Sequence, residues 1–465
     1  MTGGHDLVVI GGGAAGLGAA RAAAGAGARV LLVTDGPPGG DCTFTGCVPS
    51  KTLIEAAGRG LPFDDAVRRM RSVIARIAAT EDAAALHAEG IEVRRGRARF
   101  VAPGRLDVDG TVLTARRYIV ATGAAPAVPS VPGLTEVPYL TTETVFDLAA
   151  APGSLIVLGG GPVGCELAQA YARFGTRVTV VEVADRLLPG HEPAVSTVIA
   201  DVFAREGITL CLGAQVIEAA TGAARVGRGK SDPAGVTLRL ADGSQVHGDR
   251  LLVATGRRPT TDGLDLPSAG IAVDDRGHVV TDDRLATTAP GGYAAGDVTG
   301  RMPVTHAAFA MGRIAAGNAL SRRRQRYDPS ATPWVVFTDP EVARVGLTEA
   351  QSVGRGVRVA YLPMTEMDRA VTAGATDGFV TLVAGPRRLL GNLGGGRILG
   401  ATVVAGRAGE MIHEPALAMA TGMFAGRLAQ ATHAYPTWSY GIQLAAAQFV
   451  TPIGGRRARP ARAAG

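Results

Sequence analysis

Cys42 and Cys47 lie five positions apart in Gly39-Gly40-Asp41-Cys42-Thr43-Phe44-Thr45-Gly46-Cys47-Val48-Pro49-Ser50-Lys51, and they are two of only four cysteines in 465 residues. No second Cys or His pair lies nearby in the sequence, which argues against a four-ligand zinc site. A redox-active disulfide fits the pair better. Lys51 adds to this reading. The chain has two lysines, Lys51 and Lys230, and uses arginine elsewhere, so an ammonium just after the cysteines points to a chemical need for one.

The elements around the pair read as nucleotide-binding units. Strand-like Leu7–Ile10 runs into Gly11-Gly12-Gly13-Ala14-Ala15-Gly16, then an Ala-rich helix and strand Val30–Val33. Glycines in that strand–turn–helix context allow a tight turn and close approach of a pyrophosphate to a helix N-terminus. The acid expected after the second strand is displaced, with Thr34 in its place and Asp35 following, so Asp35 is assigned the ribose contact. Arg-rich helical sequence runs from Leu53 to about Glu89, and a strand-rich patch ends in Ala121-Thr122-Gly123. Pro-rich residues 126–138 read as a linker.

At Ser154 the pattern restarts. Strand Leu155–Leu158 leads into Gly159-Gly160-Gly161-Pro162-Val163-Gly164, a helix through Phe174 and strand Val178–Val181, ending on Glu182. A carboxylate there accepts hydrogen bonds from a ribose 2′-OH and repels a 2′-phosphate, which favours NADH, while nearby Arg186 leaves NADPH open. This copy also closes on an Ala-Thr-Gly, at Ala254-Thr255-Gly256, followed by Arg257-Arg258-Pro259. Two fingerprints form an internal repeat and imply electron transfer between two cofactors. After Gly296-Asp297 and Thr305-His306 the texture changes at about Thr332 to mixed strands and helices, suited to subunit packing.

The expected fold class is therefore α/β, with two Rossmann-like dinucleotide-binding domains and a C-terminal α+β domain. The expected boundaries are 1–150 and 276–330 for the first nucleotide domain, 151–275 for the second, 331–450 for the cap and 451–465 for a flexible basic tail. The net charge of +6 is dispersed, and the run Arg322-Arg323-Arg324-Gln325-Arg326 reads as a solvated helix end, so no nucleic-acid partner is expected. The absence of a signal peptide, of an apolar run long enough to span a bilayer and of many cysteines points to a cytoplasmic protein with no integral membrane association. No metal site is expected. Cys165 and Cys211 read as buried, inert thiols.

With both fingerprints, the Cys-x4-Cys-Val-Pro-Ser-Lys run, Ala-Thr-Gly-Arg-Arg-Pro and Ala-Gly-Asp-Val in order, the chain resembles the flavin disulfide reductases. These are FAD-dependent pyridine nucleotide-disulfide oxidoreductases such as dihydrolipoamide dehydrogenase, glutathione reductase and mercuric reductase. Phe337-Thr338-Asp339-Pro340-Glu341, Val345-Gly346-Leu347-Thr348 and Ala408-Gly409-Glu410-Met411-Ile412 extend the resemblance into the C-terminal domain. It implies FAD on the first fingerprint, NADH or NADPH on the second, and a homodimer built by the third domain. Asp297 would hold the ribityl chain, with Thr122 and Gly123 near the flavin. Cys47 would be the thiol beside the flavin and Cys42 the outer thiol that meets the acceptor. Lys51 would lie beside the flavin and pair with Glu166, and with a helix N-terminus it should favour the thiolate. Further cofactor contacts are implied at Gly40, Asp41, Ala98, Val216, Pro303 and Val304.

The chain departs from the family at one point. The family's C-terminal His-Pro-Thr-x-Ser-Glu carries an acid–base histidine that reaches the partner's cysteines. Here the run is His433-Ala434-Tyr435-Pro436-Thr437-Trp438-Ser439-Tyr440. Tyr435 replaces the histidine and Tyr440 its orienting glutamate. His433 stands two positions early, about 6–7 Å away on an extended segment, and is expected to face solvent or cap rather than act as a displaced base. A phenol with an ordinary pKa of about 10 is a poor base. Mercuric reductases share the tyrosine, yet this tail lacks their extra cysteine pair, and no N-terminal metal-carrier domain is expected. The expected function is NAD(P)H oxidation through FAD and Cys42–Cys47 to a disulfide, metal-ion or quinone acceptor. The alternatives are dithiol oxidation with NAD+ and a non-catalytic redox-sensing flavoprotein.

Overall fold

The computed structural model describes residues 4–222, 235–354 and 356–462; Lys230 lies outside them. The chain divides into two compact units. The first comprises Met1–Pro129, Leu140–Ala150 and Thr255–Pro329; the second comprises Ser130–Tyr139, Ala151–Ala254 and Ser330–Gly465.

In the first unit, five parallel strands lie in the order Gly292–Ala294, Tyr118–Val120, Leu7–Ile10, Val30–Thr34 and Ile91–Arg95. The three central strands are continuous apolar runs because both faces of the sheet are covered. On one face, helix Ala14–Gly25 packs against helix Thr305–Leu320 through small residues. A Cβ on Gly312 would stand 2.0 Å from the Ala15 carbonyl oxygen, and one on Gly18 would stand 2.6 Å from that of Phe309. The other face packs on Phe100, Leu106 and Val108 of an antiparallel sheet formed by Ala98–Ala102, Arg105–Val108 and Thr111–Thr114. The helical stretch expected from Leu53 to Glu89 is three helices, Cys47–Gly58, Phe63–Ala78 and Ala83–Ala88; Gly60 and Gly90, in left-handed backbone, follow the first and third, and Asp82 caps the start of the third.

The second unit contains the repeat. Parallel strands Thr209–Leu212, Arg177–Glu182, Ser154–Leu158 and Arg250–Val253 carry helix Pro162–Arg173. Its C-terminal part is a six-stranded sheet in the order Trp334–Val336, Glu341–Gly346, Arg397–Ala405, Phe379–Gly385, Arg358–Pro363 and Arg459–Pro460. Helices His413–Ala420 and Tyr440–Ala447 help to bury its core. The mixed α/β class matches the expectation.

Two expectations need correction. The tail does not fray through residue 462. Arg459–Pro460 pairs with Arg358–Val359, Arg459 reaches Glu349 at 2.8 Å, and Arg456 bonds Glu366. Acidic partners more than 80 residues earlier in the chain hold this basic run, which is why its composition alone misleads. Cys211 is half-buried rather than buried. Among the described residues no helix is long and apolar enough to cross a membrane.

Candidate functional site

The glycine turn of the first unit is built for close approach. Gly11 has φ +111° and a Cβ there would meet the Ala121 carbonyl at 2.3 Å, while one on Gly16 would strike the Gly11 carbonyl at 1.8 Å. Gly13, at the helix N-cap, instead has open space where a Cβ would be. The N–H groups of the first turn beyond it have no intrahelical acceptor. An open cradle at a helix N-terminus fits a pyrophosphate. Chain segments converge on it. The Gly39 amide donates to the Gly12 carbonyl at 2.8 Å, a Cβ on Gly40 would lie 2.7 Å from the Gly13 Cα, and one on Gly296 would lie 2.8 Å from the Ala15 Cβ. The Gly296 contact brings Asp297 to the same turn, where burial raises its carboxyl pKa and Arg257 works against that rise.

Arg257 was not singled out from sequence as a site residue, and it ties this region together. Its guanidinium pairs with Asp41, lies 3.6 Å from Asp297 and donates to the Ala124 carbonyl. Only the fold could reveal a partner more than 200 residues along the chain from Asp41. On the same side, the Thr122 hydroxyl donates to the Thr260 carbonyl at 2.6 Å, and Gly123 has φ +71°.

Cys42 lies in the short helix Gly40–Phe44, and Cys47 is the first residue of helix Cys47–Gly58. Gly46 between them is obligatory, since a Cβ would meet the Asp41 carbonyl at 2.8 Å. Both cysteines are half-buried thiols. The Cys42 proton is held by a hydrogen bond to Cys47 and by burial, so its pKa is raised. Cys47 Sγ lies 3.3 Å from the Thr305 hydroxyl, which opens helix Thr305–Leu320 immediately after Pro303 and Val304; His306 follows on that helix. The first turn of a helix stabilises a thiolate at Cys47. Lys51, one turn further on, shares that face of the helix.

The remaining first-unit candidates are Asp35, Ala98 and Gly256. Asp35 is exposed beyond the end of strand Val30–Thr34, while Thr34 packs beneath Gly12 and donates to the Gly36 carbonyl. Ala98 pairs with Val108 on the antiparallel sheet. Gly256, with φ +130°, accepts from the Ala127 amide.

In the second unit Gly159 has φ +117°, Gly164 packs on the Gly159 carbonyl, and Gly161 leaves the same open cradle before Pro162 and Val163. Glu182 sits where Thr34 sits in the first copy, but its carboxylate accepts from the Gly160 amide and, at 2.8 Å, from that of Ala184. Val216 begins the next strand and is half-buried. Glu166 is 5 % exposed and accepts the Phe337 amide at 2.9 Å. Gln169 exchanges two hydrogen bonds with the Asp339 backbone, at 2.7 and 2.8 Å. Cys165 is buried, and burial raises its pKa far beyond a reactive range.

The divergent C-terminal run occupies one side of this unit. The Tyr435 hydroxyl donates to Asp368, which raises the tyrosine pKa, and the ring meets that of Tyr440 edge-on at 5.8 Å. Tyr435 itself is 64 % exposed. His433 is held at both ring nitrogens, by Glu414 at 2.7 Å and the Ala431 carbonyl at 2.8 Å. It does not face solvent, but its bond to the carbonyl of Ala431, the C-cap of helix Ala425–Gln430, gives it the expected capping position; Asp368 as the tyrosine's partner was not visible in sequence.

Comparison with known proteins gives this arrangement its class. The pyridine nucleotide-disulphide oxidoreductase family matches residues 5–312, and the dimerisation domain of that family matches residues 332–446. The chain is 36 % identical to a mercuric reductase of Streptomyces lividans, covering 97 % of each chain. It is 34 % identical to a dihydrolipoyl dehydrogenase of Thermus scotoductus, covering 95 % of this chain and 96 % of that one. A similar solved structure is the HOCl-induced flavoprotein disulfide reductase RclA from Escherichia coli, with TM-score 0.86, 30 % identity and coverage of 95 % and 99 %.

The chain belongs to the pyridine nucleotide-disulphide oxidoreductases. It is an FAD-dependent enzyme of the class that uses pyridine nucleotides and carries that family's dimerisation domain.

Proposed function

We propose that this enzyme oxidises NADH in preference to NADPH and delivers the electrons through Cys42 and Cys47 to a thiol-binding metal ion. Asp297 and the Ala14–Gly16 amides would hold FAD on the first glycine turn, and that group would supply the two-electron link from nicotinamide to disulfide. Cys47 is the thiol on the cofactor side, favoured as thiolate by its helix N-terminus and by Lys51, and Cys42 meets the acceptor. Glu182 favours NADH because its carboxylate sits where a 2′-phosphate would be repelled.

The observation that carries the choice of acceptor is the state of two C-terminal side chains, Tyr435 and His433. The Tyr435 proton is held by Asp368, and His433 has both nitrogens engaged. Reducing a disulfide substrate requires a proton for the leaving thiolate, normally from an imidazole. Reducing a bound metal ion does not: the ion displaces the two thiol protons to solvent as it binds the sulfurs, two electrons pass from the dithiolate to one divalent ion reduced to the metal or to two Cu(II) ions reduced to Cu(I), the disulfide re-forms, and no sulfur leaving group needs protonation. The mercuric reductase relatives and a Cu(II) complex of RclA at 29 % identity support a metal acceptor. Dithiol oxidation with NAD+ remains the competing direction, as do quinones and disulfides among acceptors.

Stopped-flow reduction by NADH should give a long-wavelength band from thiolate-to-flavin charge transfer, and Cys42→Ser should keep that band while losing turnover. Absence of the band from both proteins would sink the dithiol route. Faster initial rates with metal ions than with a quinone, lipoamide or glutathione disulfide support the acceptor assignment, and the reverse order defeats it.

A further inference from the structure

Residues 386–396, between strands Phe379–Gly385 and Arg397–Ala405, form a protruding turn closed by paired backbone hydrogen bonds between Arg387 and Gly391, at 2.7 and 3.0 Å. Its tip exposes Leu389 by 93 % and Leu390 by 50 %, and Leu393 follows at 69 %. Side chains this apolar rarely stand together in water on a projecting loop. The loop is anchored at its base, where the Asn392 side chain donates to the Gly356 carbonyl at 2.7 Å and the Arg387 guanidinium stacks on Phe424 at 5.3 Å.

The side chains that flank the tip are cationic. From Gly378 to the C-terminus the sequence has two acids, Glu410 and Glu414, and nine arginines, of which Arg456 and Arg459 are paired with Glu366 and Glu349 and are not counted on for binding. Arg427 covers the Phe424 ring together with Arg387. Arg388 adjoins the leucines and is exposed. The tail strand Arg459–Pro460 forms the edge of the same sheet, and the Ala461 amide donates to the Val357 carbonyl close to Gly356.

We propose that this turn docks the enzyme onto an anionic lipid surface, with Leu389, Leu390 and Leu393 entering the acyl boundary and Arg387, Arg388 and Arg427 meeting the headgroups. Convexity and charge choose this occupant. A projecting apolar tip enters a fluid interface without needing a matching pocket, and adjacent cations strengthen attachment to anionic lipid. A symmetric contact with a second copy would set arginine against arginine. Such attachment is peripheral and would place the enzyme where lipid-soluble or membrane-carried acceptors are delivered.

The test is flotation of full-length holoenzyme with phosphatidylglycerol-rich vesicles and with phosphatidylcholine vesicles, at low and high salt. We expect binding to the anionic vesicles alone, lost at high salt. Leu389→Ser/Leu393→Ser and Arg388→Glu should each weaken partitioning about tenfold or more, with FAD content and NADH oxidation unchanged. Equal binding to both vesicle types, or unaltered binding by both variants, overturns the proposal. So does a change of oligomeric state in the leucine variant on sedimentation, which would assign the turn to contact between copies. Capture of an acidic protein with no vesicle binding would assign it to a protein partner and likewise defeats it.

Discussion

At the residue scale, the two C-terminal side chains that the sequence offers as acid–base groups, Tyr435 and His433, have their polar atoms already committed to hydrogen bonds. Tyr435 donates to Asp368 and its pKa is raised, so it stays a phenol throughout the neutral range. His433 shows how a histidine near a catalytic position can be structural. Burial works against its charge, but Glu414 and the Ala431 carbonyl outweigh it, and its pKa is raised above the ordinary value. A group with a raised folded pKa contributes stability in full below its unfolded pKa of about 6.5, and that contribution fades as pH rises through the folded value. His433→Gln should therefore lower the unfolding midpoint most at mildly acid pH and least at alkaline pH, with acceptor reduction near wild type at neutral pH. Urea unfolding across that range checks the first outcome. Loss of turnover without loss of stability would mean that His433 is the base.

At the scale of elements, the first nucleotide unit depends on how closely two helices approach. Gly312 faces the Ala15 carbonyl, and Ala15 belongs to the first glycine turn, proposed above to hold FAD. Gly312→Ala should separate the helices, costing about 1–3 kcal/mol as other overpacked cores do, and should weaken FAD retention with it. Gly317 lies on the same helix with open space at its Cβ position, so Gly317→Ala should be neutral or stabilising by up to about 1 kcal/mol. Thermal unfolding and bound-flavin absorbance of the two variants distinguish contact from helix propensity. The glycine turns, the repeat and the Cys42–Lys51 run were legible in the sequence because each is a local pattern with a fixed backbone requirement. Arg257 between Asp41 and Asp297, Asp368 beneath Tyr435 and Glu349 at Arg459 were not. Each joins residues that are 40 or more positions apart, and no periodicity or spacing records such a pairing. Thr34 marks an intermediate case. The missing acid was plain, while its packing under Gly12 came only from the fold.

At the scale of the whole molecule, the Cys42–Cys47 pair and Tyr435 belong to different compact units of one chain, and the family's dimerisation domain spans the tyrosine. If the acceptor ion is bound between Cys42 of one subunit and the Tyr435 phenol of the other, as a ligand rather than through any proton transfer, a sharp prediction follows. Cys42→Ser and Tyr435→Phe homodimers should each reduce the metal acceptor poorly. After subunit exchange, half of the dimers in an equal mixture are mixed. Each mixed dimer has one site with both residues intact and one with neither, so activity should recover to about a quarter of wild type. If Tyr435 instead serves the cysteines of its own chain, every site in the mixture lacks one residue and nothing is recovered. Recovery measured against the time course of exchange separates the two cases, and NADH-dependent flavin reduction, which needs neither substitution reversed, shows that both variants remain folded and loaded throughout.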